Sequence, residues 1–409
     1  MRLLALLSSR PRRHERPLVS VTMGWAGQRE AMIAMNIPAQ ARDRSPAWLK
    51  ASVAALPPYR GPQTAAAVAR PGAKMRLLHL NESPYPPSPR AIGAFTAVRD
   101  LNRYPDIHGS ALADDLSART GIAADRIIFG CGSDELIHLL CEIALGPGDE
   151  LVIPAPSFPR YALSGRILGA TPIRAKLDAD GANDAEALVG AIGERTRLLF
   201  CCTPNPPSGG MMGAAALERL VTAVPDTVLL VIDEAYHEFA IHAGGPDVLA
   251  ALCRRRGPWV VLRTFSKAYG LGGARVGYAL CGAPEVADAL RKVKLQFNVT
   301  APSQAAALAA LRDEAYLKTT LDAIAAERTR LAAGVAAMGL SPLPSAANFV
   351  SIRLAIPATD ASEEFRRRGI LIRDWRDPDH LNEIRITIGL PEDTDAVLVA
   401  LREILALKR

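Results

Sequence analysis

The chain is poor in cysteine, with six in 409 residues. No two form a CxxC pair, and none stands at ligand spacing from a histidine. The spacing speaks against a disulfide framework and a Cys/His zinc site; reduced thiols in a cytoplasmic enzyme fit it better. Aromatic residues make up only 5%, and no basic stripe is interleaved with them. The formal charge of +6 therefore does not argue for nucleic acid, and it suits small anionic substrates. No apolar run is long enough to cross a bilayer. No strand-like segment runs into GxGxxG, which speaks against a nucleotide-binding Rossmann enzyme. Internal repeats are also missing.

What is present is an ordinary globular balance, 49% hydrophobic and 22% charged. The length allows two or three domains, or a large domain with a smaller one attached. The opening "MRLLALLSSRPRRHERP" puts a short apolar run before its arginines, the reverse of a secretory signal. Residues 1–45 are expected to be a disordered extension. "ARDRSPAWLKASVAALPPYRGPQ" reads as a short amphipathic helix ending at Pro57-Pro58. "MRLLHLNESPYPPSPRAI" reads as a short strand broken by prolines, then a helix start at Ser88-Pro89. From Arg126 on, apolar runs alternate with helical patterns: "RIIFGCGSDELIHLLCEIAL", "DELVIPAPSF", "RTRLLFCCTPNPPSG", "TVLLVIDEAYHEF", "PWVVLRTFSKAYG" and "ARVGYALCG". These strands are apolar on both faces, as buried parallel strands are. The fold class expected is α/β, an open and mostly parallel sheet between helices. After about residue 300 an Ala-rich helical region (301–338) leads into "ANFVSIRL", "ATDASEEFRRRG", "ILIRDW", "EIRITIG" and a last helix from about Pro391. That pattern reads as a smaller α+β domain.

Ligands of open parallel sheets gather at the carboxyl ends of the strands. Five strands here end in residues capable of chemistry: Gly132-Ser133-Asp134, Ser157-Phe158, Asn205, Asp233 with Tyr236, and Ser266-Lys267. Each also has a plainer reading. Asp233 either caps the next helix or meets a cationic ligand atom. Lys267 is either a solvated lysine or an amine that has lost hydration at the end of a buried strand. In the second case its pKa falls and it attacks carbonyls more readily. The turn before Ser133 is either a tight strand-to-helix connection or a phosphate cradle at a helix N-terminus. Arg275, in "GGARVG", is either a surface arginine or an anion clamp that close glycines allow. Phe158 is either core or a ring-stacking platform. Arg373 ends the apolar "ILI". Arg385 sits inside "IRITIG", where facing a core is costly without an anionic partner.

The order of these signals is more specific than any one of them. "LNESPYPPSP", "RYPD", "GCGSDELIHLL", "PAPSFPRY", "TPNPPSG", "VIDEAYHEF", "TFSKAYGLGGARVGY", "ILIRDW" and "IRITIG" resemble the fold-type I, class-II pyridoxal-phosphate aminotransferases over roughly residues 75 to 405. Within them the set looks most like the histidinol-phosphate aminotransferase family. The resemblance implies pyridoxal 5'-phosphate as cofactor, with Lys267 forming the Schiff base and later moving a proton. It implies that Asp233 pairs with the pyridine nitrogen, that Asn205 and Tyr236 bind the ring oxygen, and that Phe158 stacks on the ring. Ser133, Asp134, Ser266 and Arg275 would hold the phosphate, with Tyr104 reaching it from the other subunit of a homodimer. Asn81, Arg373 and Arg385 would bind the substrate. The implied organisation is an N-terminal arm or part of the small domain over 46–95, a large cofactor-binding domain over 96–300 and a small domain over 301–409.

The implied reaction exchanges an amino group between L-histidinol phosphate and 2-oxoglutarate. Three departures from the family pattern bear on the substrate: "PNPPSG" has Pro206 where a second asparagine is usual, "NESP" stands for "NENP", and "GLGGARVG" carries an extra glycine. They leave open an aromatic amino-acid aminotransferase, and beyond it a decarboxylase resembling threonine-phosphate decarboxylase. A fourth reading, the effector-binding module of a transcription regulator, would need a winged helix that the Pro/Ala-rich first 75 residues do not suggest.

Overall fold

The structure is a computed structural model that describes residues 46–58, 75–375 and 377–406. The expected extension, 1–45, lies outside the described residues. The chain divides into two units, residues 1–55 and 56–409. In the first, the helix expected before Pro57 is a single turn, Ala51–Ala54.

Among the described residues, the second unit holds twelve strands. They are β1 (Arg76–Leu77), β2 (Ile127–Cys131), β3 (Glu150–Ala155), β4 (Thr171–Lys176), β5 (Thr196–Cys202), β6 (Leu229–Asp233), β7 (Trp259–Thr264), β8 (Val276–Cys281), β9 (Phe349–Arg353), β10 (Ile370–Leu371), β11 (Arg373–Asp374) and β12 (Glu383–Thr387). Seven form one sheet in the order β2-β8-β7-β6-β5-β3-β4. Strands β4, β3, β5, β6 and β7 are parallel, and β8 runs antiparallel to both β7 and β2. Six strands thus share one direction, and the sheet is the mostly parallel α/β layer that the apolar runs imply. The one reversed strand is "ARVGYALCG", whose composition carries no record of its direction.

Both faces of the sheet are apolar because helices cover both. Leu199 and Cys201 of β5, Leu230 and Ile232 of β6, and Val261 of β7 lie in one core cluster. Leu198, Phe200 and Cys202, Leu229 and Val231, and Val260 and Leu262 lie in another. Successive residues of a strand point to opposite faces, so each strand reads as a continuous apolar run.

Further along, the Ala-rich region makes two helices, Ala301–Leu311 and Glu314–Ala336. Strands β11, β12 and β9 form a small antiparallel sheet, and β1 pairs in parallel with β10. A third core cluster, including Phe349, Ile384 and Leu401, packs there. The helix Pro89–Ala97 starts as expected, with the Ser88 side chain accepting from the Ala91 amide. No helix among the described residues is long and apolar enough to cross a membrane.

One ion pair ties the central strands. Arg263 of β7 donates through Nε and Nη2 to Glu234 Oε2 at 2.9 and 2.7 Å, and both residues are buried. Removing one member of such a pair strands the other charge in a region without water. Arg263→Met should therefore destabilise by about 3 kcal/mol or more, read as a lower denaturant midpoint. The double variant Arg263→Met/Glu234→Gln should recover much of that loss.

Candidate active site

The shared strand direction brings the carboxyl ends of β2, β3, β5, β6 and β7 to one edge. Asp233 is the last residue of β6, in register with Cys202 of β5 and Leu262 of β7. It is 3% exposed. Its carboxylate accepts the Tyr161 hydroxyl at 2.7 Å and the Ala235 amide at 3.0 Å. Both donors are neutral. Burial outweighs them and pushes the carboxyl up to about 6.

Lys267 follows β7 by three residues. Its Nζ donates to the Leu80 carbonyl at 3.0 Å. Burial, and then repulsion from Arg385, bring the amine down to about 8. That is the shift expected of a lysine drawn out of water. Tyr236 is buried, and its hydroxyl accepts from Asn81 Nδ2 at 2.8 Å. Asn81 in turn bonds Thr387 through its amide at 3.0 Å and its Oδ1 at 3.1 Å, and its carbonyl accepts from Asn348 at 3.0 Å. Its φ of 54° is a left-handed conformation that asparagine tolerates better than most residues. Arg385 donates to the His79 carbonyl at 2.7 Å and lies 5.3 Å from the centre of the Phe349 ring. Its Nε meets no acceptor among the described residues. Arg373 of β11 is directly opposite Arg385 of β12.

Asn205 is fully buried. Its Oδ1 accepts from Ser157 at 2.6 Å, and its Nδ2 donates to the Pro156 carbonyl and Ser208 at 3.0 and 2.9 Å. Phe158 is 37% exposed and meets Tyr161 edge-on at 5.8 Å. Ser133 opens the helix Ser133–Ala144 directly after Gly132, whose φ is 76°. Asp134, next to it, has its carboxylate held by Arg160 at 2.9 and 2.6 Å. Arg275 reaches over this turn and donates to the Cys131 carbonyl at 3.2 Å, the Gly272 carbonyl at 3.1 Å and Ser266 Oγ at 3.4 Å. A Cβ on Gly132 would collide with the Arg275 guanidinium. The helix N-terminus, Ser266 and Arg275 therefore form one concave group with free amides and a cation, a fit for a phosphate. Arg275 adopts φ 57°, a sparsely populated conformation for such a residue.

Tyr104 is not part of this cluster within its own chain. It is 82% exposed and stacks on Phe297 at 4.5 Å. Five residues in the cluster's support were not among the sequence candidates. Tyr161 gave no signal, since its partner Asp233 is 72 residues away. Asn348 is equally silent. Glu234 follows Asp233, and Arg263 stands as a charge within an apolar strand, the same cue that marked Arg385. Thr264 Oγ1, at 3.0 Å from Ser266 Oγ, also joins the phosphate-type group.

The donor set fits pyridoxal phosphate. Asp233 is a buried carboxylate facing no cation among the described residues, Lys267 is an amine of lowered pKa, and an anion cradle lies beside them. The comparisons with known proteins agree. Residues 73–401 match the family of class I and II aminotransferases, and the chain belongs to that family. It is 36% identical over 351 residues to a histidinol-phosphate aminotransferase of Mesorhizobium japonicum, covering 85% of this chain and 96% of that one. It is 38% identical over 351 residues to an aromatic amino acid aminotransferase of Streptomyces avermitilis, covering 86% and 95%. Among solved structures, histidinol-phosphate aminotransferase from Sinorhizobium meliloti in complex with pyridoxal-5'-phosphate superposes with a TM-score of 0.81 at 30% identity, covering 89% of this chain and 99% of that one.

The raised carboxyl of Asp233 has a measurable sign. Without cofactor, the folded protein holds this proton up to about pH 6, whereas the unfolded chain releases it near its ordinary value of about 4. The stabilising proton uptake is complete below about pH 4 and is lost as pH rises through about 6, by on the order of 3 kcal/mol. Asp233→Asn has no such loss. Cofactor-free Asp233→Asn should gain melting temperature relative to the wild type as pH is raised across that window. A pH-independent difference would place no titrating burden on Asp233.

Proposed function

We propose that the chain transfers the amino group of L-histidinol phosphate to 2-oxoglutarate, using pyridoxal 5'-phosphate. The observation that carries this reading is the meeting of three unlike groups where the edge of the large sheet faces the small one. These are an amine lowered to about 8, a buried carboxylate facing no cation, and two arginines in register on β11 and β12. The cofactor's contribution, when bound, is an aldehyde that accepts the amino group and a ring that spreads the electron pair left on the substrate carbon.

The chain's own groups do the rest. Lys267 Nζ would hold the cofactor and, as a free amine, would take and return the proton at the substrate carbon. A base near 8 is matched to that task at neutral pH. Asp233 would pair with the ring nitrogen of the cofactor and hold a proton there. Asn205 and Tyr236 would hold the cofactor's ring oxygen, and Phe158 would cover the ring. The Ser133 and Asp134 amides, Ser266 and Arg275 hold the phosphate. Asn81, Arg373 and Arg385 orient the anionic substrate. Tyr104, exposed on its own chain, completes the phosphate site of a second copy, so the working unit is a homodimer. The relatives named as histidinol-phosphate aminotransferases support this donor. Those named as aromatic amino acid aminotransferases supply the competing one, with the same residues in the same roles.

A spectrum of the cofactor-loaded protein, taken before and after adding histidinol phosphate without any keto acid, separates the two. Loss of the visible band in favour of a near-ultraviolet one establishes both transamination and the donor. A band that ignores histidinol phosphate but responds to phenylalanine or tyrosine moves the assignment to the aromatic substrates. Lys267→Ala should lose at least about 10⁴-fold in turnover while keeping the wild-type circular dichroism. Retained turnover in that variant would end the role given to Lys267.

A further inference from the structure

The helix Arg160–Ile167 brings a polar group into the core beneath the site. Tyr161, in its first turn, is fully buried. Its ring stacks on Phe200 of β5, with centroids 4.5 Å apart and planes 14° from parallel. It also meets Phe158 edge-on, with the planes at 83°. Its hydroxyl donates to Asp233 Oδ2 at 2.7 Å. One side chain thus touches two groups assigned to the cofactor, the ring platform and the carboxylate.

A buried phenol costs a core more than a phenylalanine unless its hydroxyl is used. The stacked and edge contacts are ones a phenylalanine would make; the bond to Asp233 requires the oxygen. Burial, and then the charge of Asp233, push the Tyr161 hydroxyl well above its ordinary value. It therefore keeps its proton and acts as donor. The Cys202 thiol, beside the same hydroxyl, is likewise pushed up by burial and stays neutral. The other titratable groups around Asp233 are Glu234, Asp134, Cys201 and Tyr236, and none of them is a cation. Glu234 and Asp134 push its carboxyl up further. Against them stand two donors among the described residues, Tyr161 and the Ala235 amide.

A carboxylate facing a pyridine nitrogen either leaves the proton between them on the ring or takes it. A hydrogen bond donated to the carboxylate favours its ionised form and so leaves the proton on the ring. We propose that Tyr161 is a positioning residue for the cofactor, whose hydroxyl holds Asp233 ionised and oriented so that the proton between Asp233 and the ring nitrogen stays on the nitrogen. That role rests on the reading of the site as one for pyridoxal phosphate. A ring that keeps this proton draws the substrate's electron pair more strongly, so Tyr161 acts on the reaction without touching the substrate.

The test is the ¹⁵N NMR shift of pyridoxal phosphate labelled at the ring nitrogen and bound to the protein. The wild type should show the protonated value. Tyr161→Phe keeps both ring contacts and should move the shift toward the neutral-pyridine value. Its turnover should fall at least about tenfold, with KM unchanged, the effect of one hydrogen bond to a charged group. In an Asp233→Asn background the same change should not move the shift, because Tyr161 acts through Asp233. Cofactor-free protein gives a second reading, independent of activity. The pH window over which Asp233 loses its proton, at about 6 in the wild type, should lie higher in Tyr161→Phe. It should lie lower with 3-fluorotyrosine at position 161, whose hydroxyl is the stronger donor, and that change decides the matter even if Tyr161→Phe does not fold. A protonated nitrogen in wild type and Tyr161→Phe alike would overturn the role of Tyr161 and leave the reading of the site standing. So would a window that neither change moves. An unprotonated nitrogen in the wild type would overturn the pairing of Asp233 with the ring, and the role of Tyr161 with it.

Discussion

The site is organised around a carboxylate that the sheet holds out of water. Asp233 and Glu234 are consecutive, and consecutive residues at a strand end face opposite sides of the sheet. The chain compensates the two charges in different ways. Glu234 receives a full cation from Arg263. Asp233 receives only the neutral donors of Tyr161 and Ala235, which do not offset its desolvation. A buried charge without a partner costs several kcal/mol, and a fold keeps one where a ligand supplies the missing charge. That asymmetry distinguishes Asp233 from a helix cap more sharply than its position after "VLLVI" does.

Much of this was legible in the sequence, for identifiable reasons. Strands covered on both faces must be apolar at every position, so β5, β6 and β7 stand out as runs. Their polar ends stand out by contrast, which made Asn205, Asp233 and Lys267 visible. The direction of β8 was not legible, because an apolar run reads the same either way. Nor was Tyr161: it is one more apolar position in a helix until Asp233, on another strand, is brought to its hydroxyl. Arg263 was within reach of sequence reasoning. A charge inside "WVVLRTF" demands a buried anion by the argument that singled out Arg385, and Glu234 was the acid available.

The second element of order is the knot at Asn81. This residue joins Tyr236, beyond the end of β6, to Thr387 of β12 and Asn348 before β9. The segment that carries it begins at β1, which pairs with β10. Through one side chain and its own backbone, the central sheet edge and the small antiparallel sheet are held in register. The distance between Lys267 and the arginine pair then depends on this short stretch rather than on the long helix Glu314–Ala336. The left-handed backbone at Asn81 is the local cost of turning the chain to make all these bonds.

That spacing has an electrostatic consequence. After burial, the repulsion from Arg385 is the next cause of the lowered Lys267 amine, and Glu82 works against it. An anion seated on Arg385 neutralises this repulsion while leaving the burial unchanged. In the proposed reaction the amine would regain proton affinity when an anionic group occupies the arginines, and would become a stronger base. A neutral molecule of the same shape fills the space and leaves the amine as it was. Under the proposed function, the charge placement would favour an anionic substrate twice, once in binding and once in the basicity of Lys267. Both effects would act through Arg385, whose Nε has no acceptor among the described residues.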